Sequence, residues 1–183
     1  MKSMRPFHAL QLQYNVTRNS NKIIQIQSFR RAFSGSAKTH FERRRLPYPA
    51  TLVYSVISDV KSYDKFVPWC KKSEIVEATV KGFEAELTIG FSMFEEKYIS
   101  DVTLVPGSAV KASSTKTTLL EYLHTEWTVS PTSDQNSCWV SFKLDFKFKS
   151  TLYSQVSDLF FDDIVKKMVQ AFDTRCKSLT SNK

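Results

Sequence analysis

From Phe83 to Phe91 the chain alternates strictly. Phe83, Ala85, Leu87, Ile89 and Phe91 fall on one face, and Glu84, Glu86, Thr88 and Gly90 on the other. A period of two marks a half-buried antiparallel strand. The same pattern predicts strands over Phe41–Tyr48, Glu74–Val80, Phe94–Val105, Ala109–Leu119, Tyr122–Val129 and Trp139–Lys149. In the last of these, Phe142, Leu144, Phe146 and Phe148 alternate with Lys143, Asp145, Lys147 and Lys149. Pro47 and Pro49 end the first strand, Gly82 and Pro106-Gly107 mark turns, and Pro131–Ser137 reads as a loop.

Helical spacing interrupts this pattern near the start and replaces it at the end. Leu52, Val53, Val56, Ile57 and Val60 predict a helix over Ala50–Val60, and a second short helix is expected over Tyr63–Cys70, closed near Pro68. Val156, Phe160, Ile164, Met168 and Phe172 step by four residues, with Leu152, Leu159, Val165 and Val169 widening the stripe. They predict one long helix from Tyr153 to about Leu179, roughly 40 Å in length. A helix with so broad an apolar face needs a curved sheet to cover it. The expected class is α+β: a helix-grip fold, with a curved antiparallel sheet wrapped around a long C-terminal helix and two short helices after the first strand. That topology leaves room for a cavity between helix and sheet.

Charge divides the chain. The whole sequence carries 26 basic and 18 acidic residues, a net +8, yet no Asp or Glu occurs before Glu42. The first 40 residues hold Lys2, Arg5, Arg18, Lys22, Arg30, Arg31 and Lys38 among many Ser, Asn and Gln. A basic, acid-free, Ser-rich leader has the composition of a mitochondrial transit peptide. Arg31-Ala32-Phe33-Ser34 resembles a matrix processing site with a cut after Phe33; it equally resembles an octapeptide type, cut first after Ala32 and finally after His40. The expected division is a leader over 1–40 and one folded domain over 41–183. Without the leader's cations the balance is 19 against 18, too even for a domain that binds nucleic acid through clustered positive charge. Three widely spaced cysteines, Cys70, Cys138 and Cys176, suit free thiols in a reducing compartment.

Catalytic equipment is sparse. Past the leader, His124 is the only histidine, and it lies inside an alternating strand. No Cys/His set has zinc spacing. The four glycines, Gly35, Gly82, Gly90 and Gly107, form no phosphate-cradling loop. Glu95 and Glu96 are adjacent in a strand and so point to opposite faces, which rules them out as an acid/base pair. Whichever faces inward either serves a ligand or reaches solvent near the strand end. No catalytic and no metal-binding residue is assigned. What the chain has in quantity is aromatic bulk, with 14 Phe, 7 Tyr and 3 Trp.

Two sequence blocks carry a family likeness. Asp59 to Cys70 reads DVKSYDKFVPWC, and Phe160-Phe161-Asp162-Asp163 is followed by Val165 to Phe172. With Arg44 to Tyr48 and Leu144 to Phe148, they make the stretch from Phe41 to Leu179 resemble the START-like (polyketide cyclase/dehydrase, SRPBCC) superfamily, in particular its mitochondrial coenzyme Q-binding proteins. The resemblance implies a non-enzymatic, START-like lipid-binding domain that holds ubiquinone as a ligand, with no catalytic cofactor. It implies a lipid chaperone for respiratory electron transport and coenzyme Q biosynthesis, peripheral to the matrix side of the inner membrane. Coenzyme Q biosynthetic or respiratory complexes would be its partners, and DNA would not.

Under that reading the sheet lines the cavity with Leu87, Ile89, Phe91, Tyr98, Tyr122, Trp127, Phe142, Leu144 and Phe146. The helix adds Val156, Phe160, Ile164 and Met168, and the lid adds Phe66 and Trp69. Tyr98, Tyr122 and Lys116 are the candidates for polar contact with the ring. The same apolar positions also suit a solid core. Lys61, Lys65, Val67, Trp69, Lys71 and Lys72 form the candidate membrane contact; Phe66 and Trp69 either anchor in the interface or fold inward over the cavity. Leu144→Lys is expected to abolish lipid copurification. Two alternatives remain: a ribosome- or RNA-associated protein using Lys143, Lys147 and Lys149, and an enzyme of the polyketide-cyclase type.

Overall fold

The computed structural model describes residues 37–91, 94–150 and 161–181. Its frame is a seven-stranded sheet in the order β1-β7-β6-β5-β4-β3-β2, antiparallel at every pairing. β1 (Ala37–Leu46) pairs with β7 (Cys138–Phe148). The chain then crosses to the opposite edge through α1 (Ala50–Ser58) and a 3₁₀ helix (Val60–Lys65). From there β2 (Cys70–Thr79), β3 (Gly82–Phe91), β4 (Phe94–Val105), β5 (Ala109–Lys116) and β6 (Leu120–Pro131) return strand by strand to β7. The C-terminal helix α2 (Phe161–Ser181) packs its buried Val165, Val169, Phe172 and Cys176 into the core. This is the expected α+β helix-grip arrangement, and among the described residues no helix is long and apolar enough to cross a membrane.

Local sequence explains the boundaries. α1 starts where Pro49, which has no N–H of its own, offers its carbonyl to the N–H groups of Leu52 and Val53. Val53, Val56 and Ile57 sit at i, i+3 and i+4 and are buried together. The helix stops at Ser58, two residues before the expected Val60, because the chain tightens there into the 3₁₀ turn. The helix expected over Tyr63–Cys70 is displaced into Val60–Lys65 for the same reason. Tyr63 ties this turn down by donating its hydroxyl to the Ile57 carbonyl at 2.5 Å. Pro68 cannot donate to a helix ladder, and Trp69 takes a left-handed backbone (φ 64°), so the segment leaves as a turn directly into β2. β2 therefore begins at Cys70 rather than Glu74.

Other limits shift in the same physical way. β1 runs four residues further towards the N-terminus than expected, so His40 and Lys38, counted with the leader, belong to the sheet. β5 ends at Lys116, since residues 117–119 form a turn whose Lys149 N–H contact to the Leu119 carbonyl leads towards β7. α2 is described from Phe161; residues 153–160 of the expected helix lie outside the described residues. Gly82 is required at the β2–β3 turn, because a Cβ there would sit 2.1 Å from the Val102 carbonyl oxygen.

Candidate functional site

The concave face of the sheet is read directly from strand parity. β3 turns Ala85, Leu87 and Ile89 inward. β4 turns in Glu96, Tyr98, Ser100 and Val102, β5 turns in Val110, Ala112 and Ser114, and β6 turns in Leu123, Thr125 and Trp127. Phe142 of β7, Val60, Tyr63 and Val67 from the crossing segment, and Met168 and Phe172 of α2 complete a cavity of about 120 Å³. Its wall is apolar save for the hydroxyls of Tyr63, Tyr98, Ser100 and Thr125. Ligand pockets run to roughly 300–1,000 Å³. The chemistry of this wall fits a lipid-like ligand, but the closed volume admits one only if the wall moves.

The void has a structural cause. Ala85 pairs with Ser100 across β3 and β4, and Ala112 pairs with Thr125 across β5 and β6. Between them Ser114 donates its hydroxyl to the Ile99 carbonyl at 2.5 Å. Of these five small side chains, Ser100, Ala112 and Thr125 border the void opposite Met168 and Phe172 of α2, where a packed core would place large ones.

Of the expected cavity residues, Leu87, Ile89, Tyr98, Trp127, Phe142 and Met168 come together around this void. Tyr122 does not. It shares the convex face with His124, on which its ring stacks at 5.1 Å, and its hydroxyl reaches Asp145 Oδ1 at 3.4 Å. Parity is the reason: Tyr122 and Trp127 are an odd number of residues apart, and the one irregularity of β6 against β7 lies before Tyr122. Leu144 and Phe146 face inward and are buried, but as packed core beside the cavity. The side chains of Phe91, Lys116 and Ile164, and all of Val156 and Phe160, lie outside the described residues. Ser100, Ala112 and Thr125 were missed; their signal is a small residue at an inward parity position, which a search for bulky apolar groups passes over.

The crossing segment closes one end. Phe66 folds inward, edge-on to Tyr63 at 5.7 Å and to Phe172 at 5.2 Å, and Phe172 also meets Tyr63 and Trp127. On its outer side, Arg175 lies 5.7 Å from the Phe66 ring and Lys167 lies 5.9 Å from the Trp69 ring. These side chains border a surface groove of about 510 Å³ between the segment and α2, in which the charged lining residues, Lys65, Lys167 and Arg175, are all cations. Lys61 is exposed, while Lys71 and Lys72 are engaged by Glu95 at 2.6 Å and Glu74 at 2.8 Å.

The two phenols that line the cavity keep their protons. Burial pushes the Tyr63 and Tyr98 phenols up, with Asp59 adding for Tyr63, and Cys70 and Glu96 for Tyr98. Burial likewise pushes the Cys70 thiol up to about 11 and the Cys176 thiol up to about 12, far from the thiolate a nucleophile needs. Glu96 corrects the idea that an inward acid reaches solvent. It is 8% exposed. Its Oε1 accepts the backbone N–H groups of Thr118 and Leu119, the latter at 3.0 Å, and its Oε2 has no partner. His124 lies on the convex face against Ser113 Oγ at 2.9 Å, away from the cavity.

A family model described as "Polyketide cyclase / dehydrase and lipid transport" matches residues 46–173. The chain is 40% identical over 142 residues to the mitochondrial coenzyme Q-binding protein COQ10 of Drosophila melanogaster, a stretch that is 76% of this chain and 59% of that one. It thus spans about three fifths of that relative's length. It is 30% identical over 142 residues to the ribosome association toxin RatA of Pseudomonas aeruginosa, covering 77% of this chain and 97% of that one. Among solved structures, the Zhui aromatase/cyclase of Streptomyces sp. R1128 shares the fold with a TM-score of 0.69 at 15% identity, over 78% of this chain and 94% of that one. By the family match, the relatives and the fold together, the chain belongs to the START-like polyketide cyclase/dehydrase and lipid transport family.

Proposed function

We propose that this protein binds coenzyme Q between the concave face of its sheet and α2, as a carrier and not as an enzyme. The observation that carries the reading is the cavity itself: an apolar chamber with a few hydroxyls, built on a patch of small residues, in a chain 40% identical to a named coenzyme Q-binding protein. A prenyl tail offers apolar area and little else, and each Å² removed from water contributes about 25 cal/mol. Affinity then comes from burial, with Tyr98 and its neighbours orienting the ring.

Entry requires the crossing segment to move. Phe66, Val67 and Trp69 form its lid, and the cationic groove along its outer side supports a landing on an anionic membrane, at about 1 kcal/mol per cation near the surface. The basic, acid-free first 40 residues support delivery to mitochondria, and the proposed place of work is the matrix side of the inner membrane. There the protein would hand coenzyme Q to respiratory or biosynthetic complexes. Of the three cations named for the ribosome-associated reading, Lys147 is paired with Glu121 at 2.7 Å and Lys149 donates to the Thr117 carbonyl at 2.6 Å, while Lys143 is exposed. For the cyclase reading His124 supplies no acid/base group, since it lies on the other face, and the inward Glu96 is not among the residues that line the cavity.

The test is extraction. The protein, purified from a quinone-producing host without lipid-stripping detergent, is expected to release near-stoichiometric ubiquinone into organic solvent, identified by mass spectrometry. A well-folded protein with no lipid refutes the proposal.

A further inference from the structure

The groove outside the lid collects charge of one sign. Lys65 of the 3₁₀ helix and Lys167 and Arg175 of α2 line it, and no acid does. None of the three takes part in an ion pair among the described residues. On the sheet the cations are matched instead: Lys71, Lys97, Lys111 and Lys147 each hold a carboxylate at 2.6–2.9 Å. Gathered cations repel one another, and a cleft lined by one sign of charge concentrates the opposite ion. Gln170 and Thr174 of α2 add neutral donors, while Phe66, Pro68 and Ala171 make part of the wall apolar. Cations, donors and an apolar strip together fit an amphiphilic anion, a phosphate diester with the start of its acyl chains.

The same cations also hold the lid. Arg175 lies 5.7 Å from the Phe66 ring and Lys167 lies 5.9 Å from the Trp69 ring. Such a contact at an exposed site is weaker than a charge-assisted hydrogen bond to phosphate. An anion entering the groove therefore draws both cations away from the rings. Resting on the coenzyme Q reading, we infer that the groove is a binding site for the phosphate diester of an anionic phospholipid, and that filling it releases the lid. Lys167 and Arg175 turn from the rings to the phosphate. Phe66 and Trp69 each lose a contact that holds them to α2, and the way into the cavity of about 120 Å³ widens. This goes beyond attraction to a charged surface: the membrane supplies the signal to open, and in water the lid stays shut. Linkage makes the effect reciprocal, so a released lid binds the headgroup more tightly.

The test uses the full chain, freed of lipid, and phosphatidylcholine vesicles that carry ubiquinone-10, made with or without phosphatidylglycerol. Two quantities are read on each sample: hydrogen exchange of the lid amides by mass spectrometry, and coenzyme Q extracted from the recovered protein. The Phe66 and Val67 N–H groups, accepted by the Tyr63 carbonyl at 3.2 and 2.8 Å, report on the lid. Their exchange is expected to rise about tenfold with phosphatidylglycerol, the factor that loss of two exposed cation–π contacts supplies. Lys167→Gln with Arg175→Gln is expected to show the faster exchange already with neutral vesicles and to take up coenzyme Q from them, with no further response to phosphatidylglycerol. A role in adsorption alone predicts slow exchange in the double variant with every vesicle, and that result overturns the inference. Wild-type exchange that is indifferent to phosphatidylglycerol overturns it too, and leaves the coenzyme Q reading intact if the ligand is still taken up. Inorganic phosphate is expected to leave the lid shut; release by phosphate as large as by vesicles overturns the assignment to a lipid headgroup. A lid response with no coenzyme Q in any sample overturns the choice of cavity ligand instead. If the double variant fails to fold, wild-type exchange with and without phosphatidylglycerol decides.

Discussion

Ala112→Leu separates a working cavity from a packing flaw. Ala112 faces inward from the middle of β5, opposite Val102 on one side and Thr125 on the other, and its methyl borders the void. Leucine adds three carbons at that point. If the void takes them without strain, each contributes about 0.8 kcal/mol, or roughly 2 kcal/mol in all. Overpacking against Trp127 or Met168 subtracts from this, since a branched side chain must find a rotamer that fits a chamber of about 120 Å³. The net effect on the lipid-free protein is a gain of up to about 2 kcal/mol. For a chain of this size that is a rise in Tm of up to about 8 °C.

Binding should move the other way, because the added carbons occupy the space the ligand needs. Lipid is extracted first and counted per mole of protein, and stability is then measured on delipidated samples, since bound ligand would itself raise Tm. The expected pair of results is higher stability with lipid content lowered at least tenfold. Undiminished lipid in a stabilised Ala112→Leu would place the ligand elsewhere and refute the assignment of the cavity. Loss of more than about 3 kcal/mol would show that the space is not available even to a side chain. Leu144→Lys is the poorer probe. Leu144 is packed core, and a buried ammonium there unfolds the protein whether or not a ligand binds.

Two further outcomes follow from the charged and titratable groups. The double substitution Lys167→Ala with Arg175→Ala should weaken cosedimentation with anionic vesicles roughly thirtyfold at low salt, at about 1 kcal/mol per cation; binding that is unchanged and insensitive to salt would remove the groove from the membrane-facing side. The buried thiols predict alkaline sensitivity. Cys176 and Cys70 titrate near 9.0 when unfolded but are held up to about 12 and about 11 when folded, so the stability they contribute is complete below pH 9 and is lost as pH rises through those values. The urea midpoint should fall between about pH 8 and about pH 10.5, and less so in Cys176→Ser; an equal fall in both proteins would refute the assignment to Cys176.

Strand parity made most of the architecture legible. The β4 limits, Phe94 and Val105, are those the alternation predicts, and the inward faces of β3 and β7 follow from Leu87 and Phe142. Tyr122, an odd number of residues from Trp127, stands on the convex face for the same reason. The crossing segment was harder to read because its geometry depends on tertiary contacts. Tyr63 reaches back to Ile57, Phe66 is held by Phe172 from 106 positions along the chain, and Trp69 takes a conformation that no bulky side chain prefers in isolation. Glu96 is a third kind of case. Its neighbour Glu95 lies on the solvent side against Lys71, and only the turn beyond β5, whose N–H groups are supplied from more than 20 residues away, makes the inward position tolerable for a carboxylate.

The cavity was the least legible feature, for a reason that bears on its function. Alternation reports which side of a strand faces inward, and the helical stripe reports which side of α2 answers it. Neither reports whether the two surfaces fill the space between them. That depends on side-chain volume summed over neighbouring strands, and here the small residues meet only through the register: Ala85 against Ser100, Ala112 against Thr125, with Ser114 between. Large residues at the same positions would keep the pattern and remove the chamber. Ser100 and Ser114 also place hydroxyls under the helix, where the Ser114 hydroxyl is satisfied by the Ile99 carbonyl and costs little. A core selected only for stability would gain by replacing them. Two departures from good packing, close together on the concave face of one sheet, are better accounted for by a ligand that completes the core than by two separate compromises.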